Sequence, residues 1–317
     1  MRAEQKAKVF FQIDMMDAGD TEKKFHSGFI AIAGPPNVGK STLLNAMIGR
    51  KISITSEKPQ TTRNRIAGIA HRRGAQLIFL DTPGIHLTNK TFNRKMVDVA
   101  FSAIDDVDLI VLVIDAAKPA PRSEAMLLER LEKSRSRPVI LAINKIDLVG
   151  KTALLPIIDK WAGSYVFENI YPVSAKNGTQ VPELIGALEA VLPEGPPYYP
   201  QDMVTDVSEE FILTEIIREK VFSLTEEEVP FSTAVSIELM EDDEERDLIR
   251  LYAKIHVERD SQKKIIIGKK GAKLKEIGRA ARLEMERLLG IRVYLKIFIR
   301  VEKNWSKDAR SMRRLGY

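Results

Sequence analysis

Cysteine is absent from this 317-residue sequence, which excludes a disulfide framework and a thiolate metal site. No apolar run reaches the ~18 residues that a membrane-spanning helix requires, so the sequence predicts no transmembrane segment. The first residues mix charges of both signs without a long apolar stretch, and we expect no secretory signal there. Together these absences predict a cytoplasmic protein.

Histidine is scarce, and its few copies show no metal-ligand spacing. We expect each of them to be structural or on the surface; they are His26, His71, His86 and His256. The hydrophobic fraction of 44% is ordinary for a globular chain with a core. The length predicts about two domains.

Charge is distributed unevenly along the chain. Residues 201–260 hold 6 Lys and Arg against 18 Asp and Glu, whereas residues 261–317 hold 17 Lys and Arg against 5 Asp and Glu. Such a basic block favours a surface for nucleic acid or for an anionic membrane, although a solvated surface would also have this composition.

Apolar runs alternate with helical patterns over residues 28–192. The predicted strands are 28–34, 65–73, 75–81, 108–115 and 138–144, and the predicted helices are 40–49, 123–133 and 181–191. The runs at 108–115 and 138–144 are continuous and rich in Val, Ile and Leu, which is typical of strands buried on both faces. This alternation predicts an α/β fold with a mostly parallel sheet that helices cover on both sides.

The segment GPPNVGKS, residues 34–41, matches the phosphate-loop pattern G-x-x-x-x-G-K-[ST] between a strand and a helix. Glycines let backbone N–H groups turn toward a phosphate, and the helix N-terminus adds partial positive charge. We expect Lys40 to reach the β- and γ-phosphates and Ser41 to bind Mg²⁺. The predicted nucleotide contacts of this loop are Gly34, Asn37, Val38, Gly39, Lys40, Ser41 and Thr42.

Asn144, Lys145 and Asp147, in the segment NKID, indicate guanine specificity because they follow a predicted strand about 100 residues after the phosphate loop. A carboxylate at Asp147 can accept hydrogen bonds from the N1–H and 2-amino groups of guanine, whereas adenine would leave it unpaired. The segment SAK supplies the further predicted contacts Ser174, Ala175 and Lys176, with the Ala175 N–H directed at guanine O6.

Two segments are predicted to contact the γ-phosphate. Asp81 and Gly84 belong to DTPG, where Asp81 is expected to hold Mg²⁺ through water and the Gly84 N–H to contact the phosphate. In KPQTTR, residues 58–63, we favour Thr62 over Thr61 as a further Mg²⁺ ligand. The predicted catalytic residues are therefore Lys40, Thr62 and Gly84, and the predicted Mg²⁺ ligands are Ser41, Thr62 and Asp81. GTP would order both segments and hydrolysis would release them.

These five motifs resemble those of GTPases of the translation-factor-related class, and KPQTTR together with DTPGIH is similar to the Era family. Ile85 occupies the position at which Ras-type enzymes carry a water-orienting glutamine, which predicts slow intrinsic hydrolysis. Asn37 resembles the asparagine that holds K⁺ in potassium-stimulated relatives, and the resemblance implies a K⁺ site there. The other interpretation of Asn37 is a turn residue.

A second domain is predicted after the proline-rich segment LPEGPPYYPQD, residues 192–202. That segment is typical of a stiff linker. Beyond it the patterns predict helix, strand, strand, helix, helix and strand, with an antiparallel sheet half covered by helices. The segment between the first two strands, EDDEERD, is predicted to be a charged turn.

Gly268–Gly271, GKKG, lies between the two middle helices, where a KH domain has the GXXG loop that clamps nucleic-acid phosphates. The neighbouring isoleucines and strand are expected to contact bases. The predicted RNA contacts are Lys263, Lys264, Ile266, Ile267, Gly268, Lys269, Lys270, Gly271 and Lys273. A plain helical corner with solvated lysines is the other interpretation.

With this element order, the resemblance to the Era family extends over residues 27–312 and implies an α+β KH domain of the second topology. The predicted boundaries are an N-terminal tail at 1–25, a GTPase domain at 26–193, a linker at 194–206, a KH domain at 207–303 and a basic tail at 304–317.

Function and partners follow from the same resemblance. It implies a GTP-hydrolysing switch that binds the 3′ end of small-subunit ribosomal RNA, assists assembly of that subunit and rRNA processing, and associates peripherally with the inner membrane. A monomer is expected. The alternative is a GTPase that docks on an anionic membrane or a protein partner through its basic C-terminal face. The basic tail, which includes Trp305, would lie along RNA or cap the sheet.

Overall fold

The computed structural model describes residues 24–55, 66–82, 84, 100–101, 104–133, 137–306 and 308–315. They fall into two compact units, the first ending at Asp206 and the second beginning at Val207. None of the helices within these ranges is long and apolar enough to cross a bilayer.

The first unit is a six-stranded sheet covered by helices, as the alternating pattern predicted. Its strands are β1 (His26–Ala33), β2 (Ile66–Arg72), β3 (Ala75–Asp81), β4 (Leu109–Asp115), β5 (Val139–Asn144) and β6 (Asn169–Pro172). Its helices are α1 (Lys40–Ile48), α2 (Pro121–Lys133), α3 (Lys151–Ala162) and α4 (Val181–Val191). The strand order is β2-β3-β1-β4-β5-β6, and β2 alone is antiparallel to its neighbour.

Burial explains why the strands of this unit read as continuous apolar runs. Every residue of β3, β4 and β5 is buried, because helices cover both faces of the sheet. Because the parallel strands point the same way, the segments that follow β1, β3, β5 and β6 meet at one edge, where phosphate-loop, DTPG, NKID and SAK residues come together. Helix α3, which contains Pro156, was missed by the pattern analysis because a proline argues against a helix interior.

The proline-rich segment predicted to be a linker is hydrogen-bonded along the first unit. The buried Gln76 side chain accepts from the backbone N–H groups of Tyr198 and Tyr199 through its Oε1, at 2.7 and 3.0 Å. Farther along, the Ile69 N–H donates to Val204 O at 2.9 Å. Strand β2 lies at the edge of the sheet, and its outer backbone groups pair with residues Val204 and Thr205, just after the proline-rich segment.

The second unit has the predicted order of elements. Its helices are α5 (Glu209–Leu224), α6 (Asp260–Ile267), α7 (Ala272–Leu289) and α8 (Ala309–Arg314), and its strands are β7 (Ala234–Asp243), β8 (Leu248–Val257) and β9 (Arg292–Val301). Strand β7 extends through Asp243, so the predicted charged turn begins only at Glu244.

The prediction of an antiparallel sheet in this unit was wrong for one of its two strand pairs. Strand β7 runs antiparallel to β8, but β8 and β9 are parallel. Two helices connect β8 to β9, and a long helical crossover is the connection that parallel neighbours require. The core lies between α5, α6 and α7 and the inner face of this sheet.

Histidines in the described residues have structural partners, as expected. A ring nitrogen of His26 contacts Leu192 O at 2.8 Å, and one of His71 contacts Met203 O at 2.7 Å. His256 is buried, with ring contacts to Ser236 and Glu302. His86 lies outside the described residues.

Candidate functional site: a phosphate loop and an exposed lysine loop

The phosphate loop connects β1 to α1, and its two motif glycines are closely surrounded. A Cβ atom on Gly34 would lie 2.3 Å from the backbone oxygen of Val113. Gly39 has a φ of 95°, and a Cβ there would lie 2.4 Å from Asn144 Nδ2. Neither position accommodates a larger residue, so the packing of the fold itself requires the glycines of the motif.

Lys40 is buried within this loop. Its ammonium donates to the carbonyl oxygens of Gly34, at 3.1 Å, and Pro35, at 2.8 Å. Burial lowers the pKa of Lys40 to about 8, although the Asp81 carboxylate acts in the opposite direction. The side chain therefore lies along the inside of the loop.

Asp81 accepts hydrogen bonds from two serines at the end of β3. Its Oδ2 accepts from Ser41 Oγ at 2.8 Å and from Ser53 Oγ at 2.9 Å. Asn45 Oδ1 fixes the Ser53 segment by accepting from the backbone N–H groups of Ile52 and Ser53. No motif in the sequence marks Ser53.

The chemistry of this donor set fits Mg²⁺. The ion prefers oxygen ligands, and it takes only one or two protein ligands when phosphates and water supply the others. Ser41 and Asp81 provide a hydroxyl and a carboxylate that are already adjacent. Within the described ranges, no three His, Cys, Asp or Glu side chains form a separate metal cluster.

The segment after β3 lies against the phosphate loop. Thr82 Oγ1 donates to Ile32 O at 2.8 Å, and a Cβ on Gly84 would lie 2.8 Å from Pro36 Cα. Only glycine fits this approach, so Gly84 packs directly against the phosphate loop. The predicted residues Thr61 and Thr62, and also Ile85, lie outside the described residues.

Asn144 joins three motifs. Its Nδ2 donates to Val38 O in the phosphate loop at 2.8 Å, and its Oδ1 accepts from the Ala175 N–H at 2.9 Å. That N–H, for which a contact with guanine O6 was predicted, donates to Asn144 in this structure. The Asn144 side chain is almost completely buried and holds the phosphate loop and SAK in register.

Lys145 and Asp147 follow β5 in the same motif. Lys145 Nζ lies 2.6 Å from Asp115 Oδ2 and donates to Asn37 O at 2.6 Å, so the lysine extends to the phosphate loop. Asp115, which ends β4, belongs to none of the predicted motifs. Asp147 is exposed, and its Oδ1 accepts from Ser174 Oγ at 2.6 Å. The exposed carboxylate can contact a base.

Asn37 itself adopts a left-handed conformation, with a φ of 64°, and is exposed. Asparagine tolerates this conformation better than most residues. The backbone geometry therefore accounts for a turn role, and the side chain remains available to a ligand. Thr42 and Lys176 also lie in the predicted segments, at the start of α1 and after Ala175.

The lysine loop, defined as Gly268–Gly271, lies between α6 and α7 in the second unit. Gly268 combines a φ of 71° with a ψ of −179°, while Lys270 and Gly271 have φ values of 51° and 79°. Both lysines of the loop are exposed. Lys264 is exposed as well, and Lys263 and Lys273 are partly exposed. The arrangement places several cations around one open turn.

Ile266 does not fit a contact role, because its side chain is 0% exposed and packs in the core of the second unit. Its neighbour Ile265 is 41% exposed, and Ile267 is partly exposed. An α-helix turns by 100° per residue, so three consecutive isoleucines face three directions. The isoleucine run alone did not show which one faces inward.

The C-terminal tail packs against the second unit. Trp305 is 0% exposed, and its Nε1 donates to Ser232 O at 3.0 Å. Met312 and Leu315 are also buried. Of the two interpretations of this tail, the cap is therefore the one that the structure supports.

Comparison with known proteins connects both units to characterised families. Residues 29–145 match the family model of a 50S ribosome-binding GTPase, and residues 228–306 match that of a KH domain. The GTPase Era of Geotalea uraniireducens is 52% identical over 298 residues, which cover 94% of this chain and 99% of the relative. The GTPase Era of Staphylococcus haemolyticus is 45% identical over 298 residues, covering 94% of this chain and 98% of the relative.

Solved structures agree with these relatives. The crystal structure of a single-residue variant of Aquifex aeolicus Era bound to GDP.AlF4- is 41% identical, has a TM-score of 0.87, and covers 92% of this chain and 99% of its own. The structure of Era in complex with MgGDPNP and nucleotides 1506-1542 of 16S ribosomal RNA gives the same identity, TM-score and coverage.

Proposed function

This chain belongs to the Era family of GTPases, and on that premise we propose that it is a GTP-hydrolysing switch that binds the 3′ end of small-subunit ribosomal RNA and assists assembly of that subunit and rRNA processing. The observation that carries the proposal is the joint presence, in one chain, of a guanine-type nucleotide site and a KH-type lysine loop. The structure of Era with MgGDPNP and a 16S ribosomal RNA fragment, which matches 92% of this chain, supports the same pairing. Because the proposed partner is ribosomal RNA, the proposed compartment is the cytoplasm.

In the nucleotide site, the backbone of the phosphate loop and Lys40 are proposed to hold the phosphates. Lys40 already donates to two loop carbonyls, and phosphate oxygens would replace these weaker acceptors. Ser41 and Asp81 would hold Mg²⁺, which neutralises charge on the β- and γ-phosphate oxygens when bound. Thr62 stays a predicted third ligand, and Gly84 a predicted γ-phosphate contact.

Asp147 is proposed to select guanine. The substitution Asp147→Asn tests this directly, because an amide can donate to the 2-oxo group of xanthine and a carboxylate cannot. We expect the variant to prefer XTP to GTP in a competition-binding assay. Asp159→Asn, an exposed carboxylate in α3, is the matched control and should leave the preference for GTP intact. A variant at Asp147 that still prefers GTP would refute the assignment.

Asn37 is proposed to hold a K⁺ ion during hydrolysis. Its exposed side chain lies in the phosphate loop, and the chain has Ile85 where Ras-type enzymes have a water-orienting glutamine. We expect faster GTP hydrolysis in K⁺ than in Na⁺, and Asn37→Ala should remove the difference. Equal rates in the two salts for the unmodified protein would leave Asn37 as a turn residue only.

The lysine loop is proposed to clamp RNA phosphates. Replacing Lys269 and Lys270 together by Asp should abolish binding to the 3′-terminal segment of small-subunit rRNA, measured by fluorescence anisotropy. The double substitution Lys151→Asp and Lys160→Asp makes the same change of charge at exposed lysines of the first unit. If both double variants bind RNA equally well, the loop is not the RNA site.

Coupling between the two sites is the remaining part of the switch. A ligand shifts a conformational equilibrium only if it binds the two states differently. RNA affinity should therefore be higher with a non-hydrolysable GTP analogue than with GDP. Identical affinities in the two complexes would contradict the switch while leaving GTP hydrolysis and RNA binding intact.

Peripheral membrane association, the alternative partner, has less support. The side chain of Trp305, which would anchor an interfacial segment, is buried. Vesicle co-sedimentation with anionic lipid separates the two partners: loss of lipid binding alone in the Lys269 and Lys270 double variant would favour the membrane over RNA.

A further inference from the structure

The outer face of the second sheet, opposite the helices, presents an alternation of rings and cations along β9. We call this set the β9 face; its members are Arg292, Tyr294, Lys296, Phe298 and Arg300, and all five are exposed. Tyr294 is 47% exposed and Phe298 45%. The intervening residues of β9 pack in the core instead, so the aromatic rings face solvent because of the strand's own alternation.

Contacts within the β9 face make it continuous. Lys296 Nζ lies 5.2 Å from the centroid of the Phe298 ring, within the range of a cation–π contact. Tyr252, which lies opposite Lys296 on β8, has its ring centroid 6.2 Å from that of Tyr294. Three rings and the adjacent cations thus form one surface.

Charge divides this sheet between its two edges. On β8, Lys254 and Arg250 are neutralised by Glu238 and Asp243. In the part of the chain that the structure describes, Lys296 and Arg300 form no ion pair. The opposite edge strand, β7, is acidic and exposes Glu241 and Asp242. A polyanion would therefore be attracted along β9 and repelled from β7.

We propose that the β9 face is a second RNA-binding surface, on which bases of a single-stranded segment stack on Tyr294 and Phe298 while Lys296 and Arg300 contact phosphates. Stacked rings with interspersed cations are the means by which proteins hold unpaired nucleic acid. This proposal rests on the proposed RNA-binding function and extends it beyond the lysine loop.

The dimensions suit a segment that continues from the lysine loop. Tyr294 and Phe298 lie four residues apart on a strand, a separation of about 13 Å. Helices α6 and α7, which flank the lysine loop, pack against β9 from the side of the sheet opposite the β9 face, and β9 is the edge strand that lies between the two surfaces. A GXXG loop clamps only about four nucleotides. In our proposal, a longer RNA therefore passes around the β9 edge to reach the β9 face.

The affinities of a short and a long RNA for the 317-residue chain test this proposal. The probes are fluorescein-labelled single-stranded oligonucleotides from the 3′ end of small-subunit rRNA, one of about four nucleotides, the loop's own length, and one about four times longer. The double substitution Tyr294→Ala and Phe298→Ala should lower the affinity for the long RNA about tenfold or more, because each stacked base contributes to the binding energy. The affinity for the short RNA should not change.

Further variants distinguish the contribution of the aromatic rings from that of the charges and from a general disturbance of the sheet. Leu239→Ala is the control, because Leu239 is 46% exposed and lies opposite Tyr252 on the acidic strand of the same sheet. Tyr294→Phe with Phe298→Tyr should retain full affinity, because the rings remain. The double substitution Lys296→Gln and Arg300→Gln should lower the affinity for the long RNA and make that affinity less dependent on salt concentration.

Three results would overturn the proposal. Equal affinity of the double alanine variant and Leu239→Ala for the long RNA excludes stacking on the β9 face. Loss of binding to small ribosomal subunits with unchanged affinity for the long RNA would show that the face binds protein. Loss of affinity for the short RNA as well would place both residues in the loop's own site. The proposed function fails separately, if the Lys269 and Lys270 double variant still binds the short RNA.

Discussion

The phosphate loop and the lysine loop both contain glycine and lysine, but these residues lie in opposite environments. Lys40 is buried and bonded to two carbonyls, while Lys269 and Lys270 are exposed. Gly34 is closely surrounded by backbone from β4, whereas a Cβ on Gly271 would meet nothing within 4 Å. The fold thus preorganises the site for a small triphosphate. The site for a polymer is open, so that the RNA can extend beyond it.

The largest effect should come from Gly34→Ala. Its Cβ would meet the Val113 oxygen at 2.3 Å, and a backbone oxygen cannot move aside as a side chain can. The loop must shift, and a displacement of the order of 1 Å can reduce catalysis about 100-fold. We expect a loss of that size in GTP hydrolysis, measured by phosphate release, with RNA binding retained by the second unit. Near-normal hydrolysis would show that the phosphate loop is no more closely packed than the lysine loop.

Lys40→Ala should have the second-largest effect. The substitution removes charge-assisted hydrogen bonds to phosphate that contribute about 1.5–3 kcal/mol, or roughly a 10- to 100-fold loss in GTP affinity. Lys269→Ala, at an exposed position where several lysines share the phosphates, should change RNA affinity less. Isothermal titration measures the GTP affinity of Lys40→Ala and the RNA affinity of Lys269→Ala. Equal fold-losses of affinity would contradict the distinction between a buried and an exposed lysine.

The pH dependence of nucleotide affinity provides a third test. The pKa of Lys40 is lowered to about 8 by burial in the free protein. Bound phosphate favours the charged form and raises that pKa, so above pH 8 the protein must take up a proton in order to bind. GTP affinity should be constant below pH 8 and fall by up to about tenfold per pH unit above it. Lys40→Ala should show no such decline, and an unmodified protein without it would refute the buried, shifted lysine.

The smallest effect is expected at Gly271. Alanine there meets no neighbour but must adopt a left-handed conformation, at a cost of about 1 kcal/mol. RNA affinity should fall less than about fivefold, a factor that corresponds to this energy. Gly268→Ala should have the larger effect in the same loop, because a φ of 71° combined with a ψ of −179° belongs to a region that only glycine populates, and the new Cβ would lie 2.7 Å from Lys273 Cβ. Equal effects of the two variants on RNA affinity would mean that the loop is not open at Gly271.

Local patterns were sufficient for most of the secondary structure. Continuous apolar runs predicted β4 and β5, because a strand buried on both faces is apolar at every position. Strict alternation predicted β8 and β9, because a strand buried on one face is apolar at every second position. Two features had ambiguous patterns. Pro156 concealed α3, and the isoleucine run of α6 did not identify Ile266 as the buried member.

Contacts between distant residues had no comparable signal. Asn144 joins Val38 and Ala175, and Lys145 reaches both Asp115 and Asn37, across separations of up to 108 residues. The predicted use of the Ala175 N–H for guanine O6 therefore missed a partner that only the folded chain supplies. The same holds for Ser53 beside Asp81 and for Trp305 beneath Ser232.

By itself, the sequence determined where the two glycine–lysine loops lie, which segments become helices and strands, and to which family the chain is similar. Propensity, periodicity and motif spacing act over short stretches, so they can be read along the chain. Only the tertiary structure decided that one lysine is buried and two are exposed, and that β8 and β9 run parallel. Burial and strand pairing depend on which distant segments pack together, and that information is held jointly by residues far apart in the chain.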